Sequence, residues 1–380
     1  MMRSLTRYAI GNVGARVSLS EILTKQDLTE IVEADSMAGA WAVLENTAFG
    51  EFLPHYSEQT PLEVERLLHI ATGSRFRRAI SSLRGRPRKV ALILLSRWDL
   101  DALILTLRRW HGEARSEGDE YNYPGLVDDL STAAISKAEN LLEITEALRK
   151  TPYGSPLLKI APAYGEKRSM SIVETALERN YYERLFAAVR ALGNSDSRDA
   201  ETLIAAEVDV LNLAAIARRL HYYQGSALGD LSELVIPSLS LLTRRLADSD
   251  LTPESFNDIL FAHLQGSFPG MAAKLPLLDK VALLETMMIE LTVDLARKSF
   301  SGFPFRVTCI LALYILKRVE LKNLRAVFAG KASGLDGEAI LAKLHGLERF
   351  GGDAHVNAKV SLSTAPASLA QTVLSKKRGA

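Results

Sequence analysis

The sequence predicts an all-α protein in which one helical unit is used three times. Three landmarks predict it. The first is an acid, an apolar residue, a spacer, Asn and Leu, read in Glu320-Leu321-Lys322-Asn323-Leu324 and in Asp209-Val210-Leu211-Asn212-Leu213. A looser copy stands at Asp99-Leu100-Asp101-Ala102-Leu103, so the acids fall at intervals of 110 and 111 residues. The second is a Leu followed three residues later by Thr or Ser and three after that by Gly: Leu44…Thr47…Gly50, Leu148…Thr151…Gly154 and Leu264…Ser267…Gly270. The third is an apolar-Glu pair at Val64-Glu65, Val173-Glu174 and Leu284-Glu285, each 34 or 35 residues before the acid. A fixed order at matched spacing is the mark of internal repetition.

In chain order, Tyr8–Glu33 predicts two short helices, with Ser18 and Glu21 spaced as a capping box. Ser36–Glu45 is the next helix and runs into the first Gly turn, where a hydroxyl residue and an aromatic or Pro precede a helix-stopping Gly. Thr60-Pro61-Leu62-Glu63 places a cap, a first-turn Pro and a capping-box Glu in the expected order, and Thr252-Pro253-Glu254 repeats that start. Leu203, Val210, Leu213, Ile216, Ala217 and Leu220 form an i, i+3, i+4, i+7 stripe. A helix from Pro304 to Gly330 has 27 residues, about 40 Å at about 1.5 Å per residue. Composition loosens at Gly112–Pro124, at Gly225–Gly229 and at Ala247–Asp250, which sets helical units over 1–120, 121–240 and 241–350. Residues 351–380 lose their aromatics and read as a flexible tail.

Composition excludes several classes. The chain of 380 residues is 47% apolar and 24% charged, with 46 basic against 45 acidic residues, a soluble globular balance without the basic excess of a nucleic-acid binder. The lone Cys309 sits in an apolar helical run, so no disulfide framework is expected and a cytosolic setting follows. Buried structural cysteine is the expectation for it. Met1–Tyr8 lacks the apolar core of a signal peptide. The longest apolar run, Val307–Leu316, is about half the ~20 residues a membrane crossing needs.

The motifs of catalysis are missing. Gly330-Lys331-Ala332-Ser333-Gly334 looks like the end of a phosphate loop, but that pattern needs Gly at 325 and a hydroxyl at 332, where Arg325 and Ala332 stand. It is expected to be a helix C-terminus whose Gly and Lys complement the dipole. The seven histidines never fall at metal-ligand spacing, and His263 and His345 read as ordinary helical histidines. Asp99, Asp209 and Glu320 lie beside apolar runs, where a carboxylate must be paired or capping. A structural role is favoured for them over a functional one, because a fold-defining bond is needed in every copy. Arg108, Arg109, Arg218, Arg219 and Arg325, later in the same helices, are the candidate partners.

Together these residues resemble the C subunit of the archaeal and bacterial A/V-type rotary ATPases, the counterpart of the d subunit in vacuolar ATPases. The resemblance is carried by Ala15-Arg16-Val17, Leu23-Thr24…Asp27-Leu28, Thr151-Pro152-Tyr153-Gly154, Glu174…Tyr181-Tyr182-Glu183-Arg184-Leu185, Asp209…Asn212-Leu213…Arg218-Arg219, Leu234-Val235-Ile236-Pro237 and Glu320…Asn323-Leu324-Arg325…Gly330-Lys331-Ala332, over roughly residues 8–345. It implies three pseudo-threefold-related helical domains forming a funnel with a central cavity. Such a funnel would sit on the proteolipid rotor ring at the cytoplasmic face of the membrane and receive the central shaft, built of the D and F subunits. It would transmit torque without catalysis, cofactor or metal. The cavity wall is expected to be polar and the rim apolar, with Arg218, Arg219 and Arg325 as candidate shaft or ring contacts. Two alternatives stand beside it: a helical scaffold outside the rotary complex, although solenoids repeat every 20–50 residues, and a helical enzyme whose site would be a deep pocket of clustered acids or histidines.

Overall fold

The computed structural model describes residues 13–112, 123–222, 231–238, 240–247, 251–265, 277–301 and 306–347. Every regular element among them is helical: α1 over 13–20, then α2 (Lys25–Glu33), α3 (Met37–Glu45), α4 (Pro61–Ile80), α5 (Gly85–His111), α6 (Thr132–Lys137), α7 (Leu141–Ala147), α8 (Gly154–Lys167), α9 (Met170–Arg190), α10 (Asn194–Tyr222), a 3₁₀ turn (Leu231–Leu234), α11 (Leu241–Leu246), α12 (Pro253–Gln265), α13 (Leu277–Ser301), α14 (Val307–Ala332) and α15 (Gly337–Leu341). No helix among the described residues is long and apolar enough to cross a membrane. The proposed tail and the third Gly turn, with Gly270, lie outside the described residues.

The start signals act where hydroxyls meet free N–H groups. Thr60 accepts from the Glu63 N–H while Glu63 accepts from the Thr60 N–H in return, and Pro61 opens α4. Ser36 caps α3. The box expected at Ser18 and Glu21 is corrected. Ser18 lies inside α1 and is buried, and the real box is Thr24 with Asp27, one residue before α2. At α12 the Thr252 cap pairs with Ser255 rather than Glu254.

The Gly turn has the same chemistry in copies one and two. Thr47 donates to the Leu44 carbonyl at 2.7 Å and accepts from the Phe49 N–H at 3.2 Å. Thr151 does both to Leu148 and Tyr153 at 2.7 and 3.2 Å. The turn drives Phe49 and Tyr153 fully into the interior. A Cβ on Gly50 would stand 2.1 Å from the Glu45 carbonyl oxygen, and one on Gly154 2.7 Å from that of Leu148. Only glycine fits there.

The described chain divides into two compact units, one within residues 1–192 and 293–351 and one within 193–292. In the first, α14 lies along α4 and α5, and α5 along α9. The run Val307–Leu316 of α14 is buried on every side, as an apolar-all-round helix requires, and Cys309 is buried within it. Phe76, Trp98 and Tyr314 join α4, α5 and α14 with ring centroids 5.5–6.1 Å apart. In the second, α10 turns Leu213, Ile216 and Ala217 onto Leu242, Leu246 and Phe256, with Val210 and Leu220 at the margin.

Candidate functional site

Each motif acid holds a segment that opens or precedes a short helix. Asp99, on α5, accepts the backbone N–H groups of Leu126, Val127 and Asp128 at 2.7, 2.8 and 2.9 Å and the Tyr123 hydroxyl at 3.1 Å. That loop leads into α6. Asp209, on α10, accepts from the hydroxyls of Ser240 and Thr243, the cap and third residue of α11, the latter at 2.7 Å. Glu320, on α14, accepts the Leu23 N–H at 2.9 Å, just ahead of α2. It is also clasped by Arg75 and Lys317, both at 3.0 Å, in a triad whose side chains are at most 1% exposed. The copies share a task but not a set of donors.

The donors set the acidities. Burial raises the Asp99 and Asp209 carboxyls above the ordinary value, and the bonds they accept offset this only in part. Burial also pushes Glu320 upward, but Lys317, Arg75 and the Leu23 N–H outweigh it and hold the carboxyl below the usual range. Desolvation lowers Lys317 to about 8.

The motif asparagines are two-point clamps. Asn212 donates to the Ile236 carbonyl at 3.0 Å and accepts its N–H at 2.7 Å. Asn323 does the same to His345, both bonds 2.9 Å. Ala102 takes the equivalent place in copy one, where Asp99 already captures three N–H groups of the loop. Leu103, Leu213 and Leu324 are buried beside them.

Three of the arginines expected to pair with these acids have other partners. Arg108 bonds Glu174 at 2.6 Å, Arg218 bonds Glu285 at 3.4 Å, and Arg325 bonds Glu65 at 3.3 Å. Each partner is the glutamate of an apolar-Glu pair in a different copy: one to two, two to three, and three to one. The separations of 66 and 67 residues in the first two pairs are the signal that sequence reasoning missed. Arg219 is half-buried beside Arg218. Lys331 complements the end of α2 rather than its own helix, donating to the Val32 and Ala34 carbonyls at 2.8 and 2.5 Å.

Another relation unites copies one and two. Ten residues after the paired glutamate, Arg75 stacks on Phe49 of the Gly turn at 4.0 Å and Arg184 lies over Tyr153 at 5.9 Å. Between α5, α9 and α14 runs a part-buried chain of charge: Arg97 bonds Asp101 at 2.9 Å and Glu178 at 2.8 Å, and Arg318 bonds Asp101. Among the described residues no group of His, Cys, Asp or Glu is arranged to hold a metal ion.

Residues 12–343 match the ATP synthase (C/AC39) subunit family, a span containing all three acids. The chain belongs to that family. Its relatives include the C subunit of the A-type ATP synthase of Thermococcus kodakarensis, 25% identical over 339 residues, covering 88% of this chain and 89% of the relative. That of Methanocaldococcus jannaschii is 22% identical over 90% of this chain and 88% of the relative. That of Halorubrum lacusprofundi is 28% identical over 58% and 62%. Membership makes this chain a structural, non-catalytic subunit of an ATP synthase. The buried acids suit that role, each being engaged by main-chain, hydroxyl or cationic partners.

Proposed function

We propose that this subunit is the central-stalk adapter of a rotary A/V-type ATPase, seating a shaft of D and F subunits on the proteolipid ring at the cytoplasmic face of the membrane. Three helical domains, residues 1–120, 121–240 and 241–350, surround a central cavity in this reading. A shaft and a many-membered ring differ in symmetry, and a collar of three similar domains offers each a rigid surface. Arg218, Arg219 and Arg325 remain candidates for contact with shaft or ring, the first and last through exchange of the glutamates they now hold.

One observation carries the reading: the succession of contacts between copies returns to its start. Glu320 of copy three holds Leu23 of copy one, and Arg325 of copy three holds Glu65 of copy one. An open array would leave its first and last copies unpartnered at these positions. Co-purification from detergent-solubilised membranes tests the proposal. Recovery with a proteolipid ring and a coiled-coil shaft is expected; consistent recovery as a free monomer overturns it.

A further inference from the structure

The chain is nearly neutral, at +1, yet its charges are unevenly placed. Between Glu65 and Asp99 stand nine Arg and Lys residues and no acid. Most of them meet at the corner joining α4 to α5, where Arg77, Arg78, Arg84, Arg86, Arg88 and Lys89 are all exposed. Part of this charge is engaged. Arg78 pairs with Glu21 and Glu51, and Arg84 and Arg88 donate to the Ser81 carbonyl beyond the end of α4. Arg77, Arg86 and Lys89 have no bonding partner among the described residues.

The fold does not ask for these cations. Arg86, Arg88 and Lys89 sit at the start of α5, the end where the helix dipole disfavours positive charge, and the first turn of that helix holds neither an acid nor a side-chain cap. The stretch of sequence that follows the second apolar-Glu pair at the same place carries Asp196, Arg198, Asp199 and Glu201, charges of both signs.

An apolar feature adjoins the charge. Helix α1 lies against the end of α4, with Gly14 so close to Ala79 that a Cβ would stand 2.6 Å from its carbonyl oxygen. It thereby brings Val13 and Val17, 62% and 53% exposed and one helical turn apart, to this corner. Cations beside exposed aliphatic side chains suit a layer of anionic headgroups over acyl chains. A nucleic-acid surface would instead favour exposed aromatics for stacking, and none stands exposed among the residues from 77 to 89.

We propose that the α4–α5 corner, with α1 beside it, is a docking surface for the phosphate-bearing headgroups of anionic lipids. It rests on the membrane-face location proposed above and adds a direct lipid contact to it. The test uses the isolated full chain and sedimented vesicles of phosphatidylcholine with and without about one-third phosphatidylglycerol. Binding is expected only with the anionic lipid, weakening as salt is raised. Combined Arg77→Ala, Arg86→Ala and Lys89→Ala substitutions, which leave the bonds of Arg84 and Arg88 in place, should lower the affinity about 100-fold, at roughly fivefold per cation. Unchanged far-ultraviolet dichroism checks that this variant folds. Arg77→Lys with Arg86→Lys keeps the charge and should keep the binding, whereas Val17→Ser should weaken it several-fold. Equal binding to neutral vesicles, or full binding by the triple Ala variant, overturns the proposal. So does capture of duplex DNA in place of vesicles. Because this assay needs neither ring nor shaft, its failure is separate from a failure of co-purification.

Discussion

Asp99 and Glu320 do the same mechanical job with opposite chemistry. Asp99 is surrounded by neutral donors, three N–H groups and a phenol, and Asp209 likewise by hydroxyls. Glu320 is held between an arginine and a lysine, both fully buried. The difference follows where each contact lies along the chain. Asp99 reaches a loop 27 to 29 residues on, and Asp209 a helix start 31 to 34 residues on. Leu23 and Glu320 are 297 residues apart. Loop-closure entropy grows with that separation, so the distant contact has more to overcome. Charge is concentrated at the contact that the chain itself does least to enforce.

Breaking that contact is the largest expected effect. Glu320→Gln leaves Arg75 and Lys317 buried without a counter-charge and should destabilise the protein by about 3–5 kcal/mol, read from the midpoint of urea unfolding followed by dichroism. Adding Lys317→Met to the same variant should recover part of the loss, because one of the stranded cations is gone. Asp99→Asn, by contrast, keeps one acceptor oxygen but turns an NH₂ toward backbone N–H groups, at a cost of about 1–3 kcal/mol. If the two single variants are equally unstable, the asymmetry between the contacts is wrong.

Acid sharpens the same comparison because the signs differ. The folded Glu320 carboxyl lies below its ordinary 4.5, so its contribution is fully present above that value and is lost as pH falls through the folded one. Asp99 and Asp209 lie above their ordinary 3.8. Each therefore costs stability above its folded value, and that cost disappears as pH falls toward 3.8. Urea midpoints measured from about pH 6 to about pH 3 should fall less steeply for Glu320→Gln than for the unaltered chain, and more steeply for Asp99→Asn.

The clamps are the next step down. Asn323→Ala strands the N–H and carbonyl of His345, and Asn212→Ala those of Ile236, each at about 1–3 kcal/mol. Copy one supplies an internal control, since Ala102 already does without the amide. Ala102→Asn should bring no comparable gain in the unfolding midpoint, the loop there having its N–H groups bound to Asp99.

Much of this was legible in the sequence because it is local. The capped start of α4 and the Gly turns at 50 and 154 each depend on neighbours within one or two turns of chain. Ser18 misled because its spacing to Glu21 fits a capping box, whereas it lies inside α1 and is buried, which the local spacing does not reveal. The partners of the acids and arginines lie beyond any local pattern. Arg108 and Arg218 follow their motif acids by nine residues, but Arg325 follows Glu320 by five, so no single offset predicts the third pair. Lys317 is hidden more deeply still: a lysine in a helix reads as solvated until Glu320 and Arg75 are seen around it.

The smallest expected effect concerns the three arginine–glutamate pairs. Arg108 and Arg218 are 59% and 62% exposed, so water and salt screen them. A double-mutant cycle on Arg108→Ala and Glu174→Ala should give a coupling of about 0–1 kcal/mol, as for other surface pairs. Arg325 is more enclosed, at 32%, and also bonds the buried His69 ring, whose other nitrogen meets the Trp98 carbonyl at 2.8 Å. Its cycle with Glu65 should give the larger coupling of the two. That order matters more than either value. The pair returning from copy three to copy one would again be the stronger, as the Glu320 triad is stronger than Asp99 and its loop. Equal couplings in the two cycles would confine the asymmetry to the buried acids.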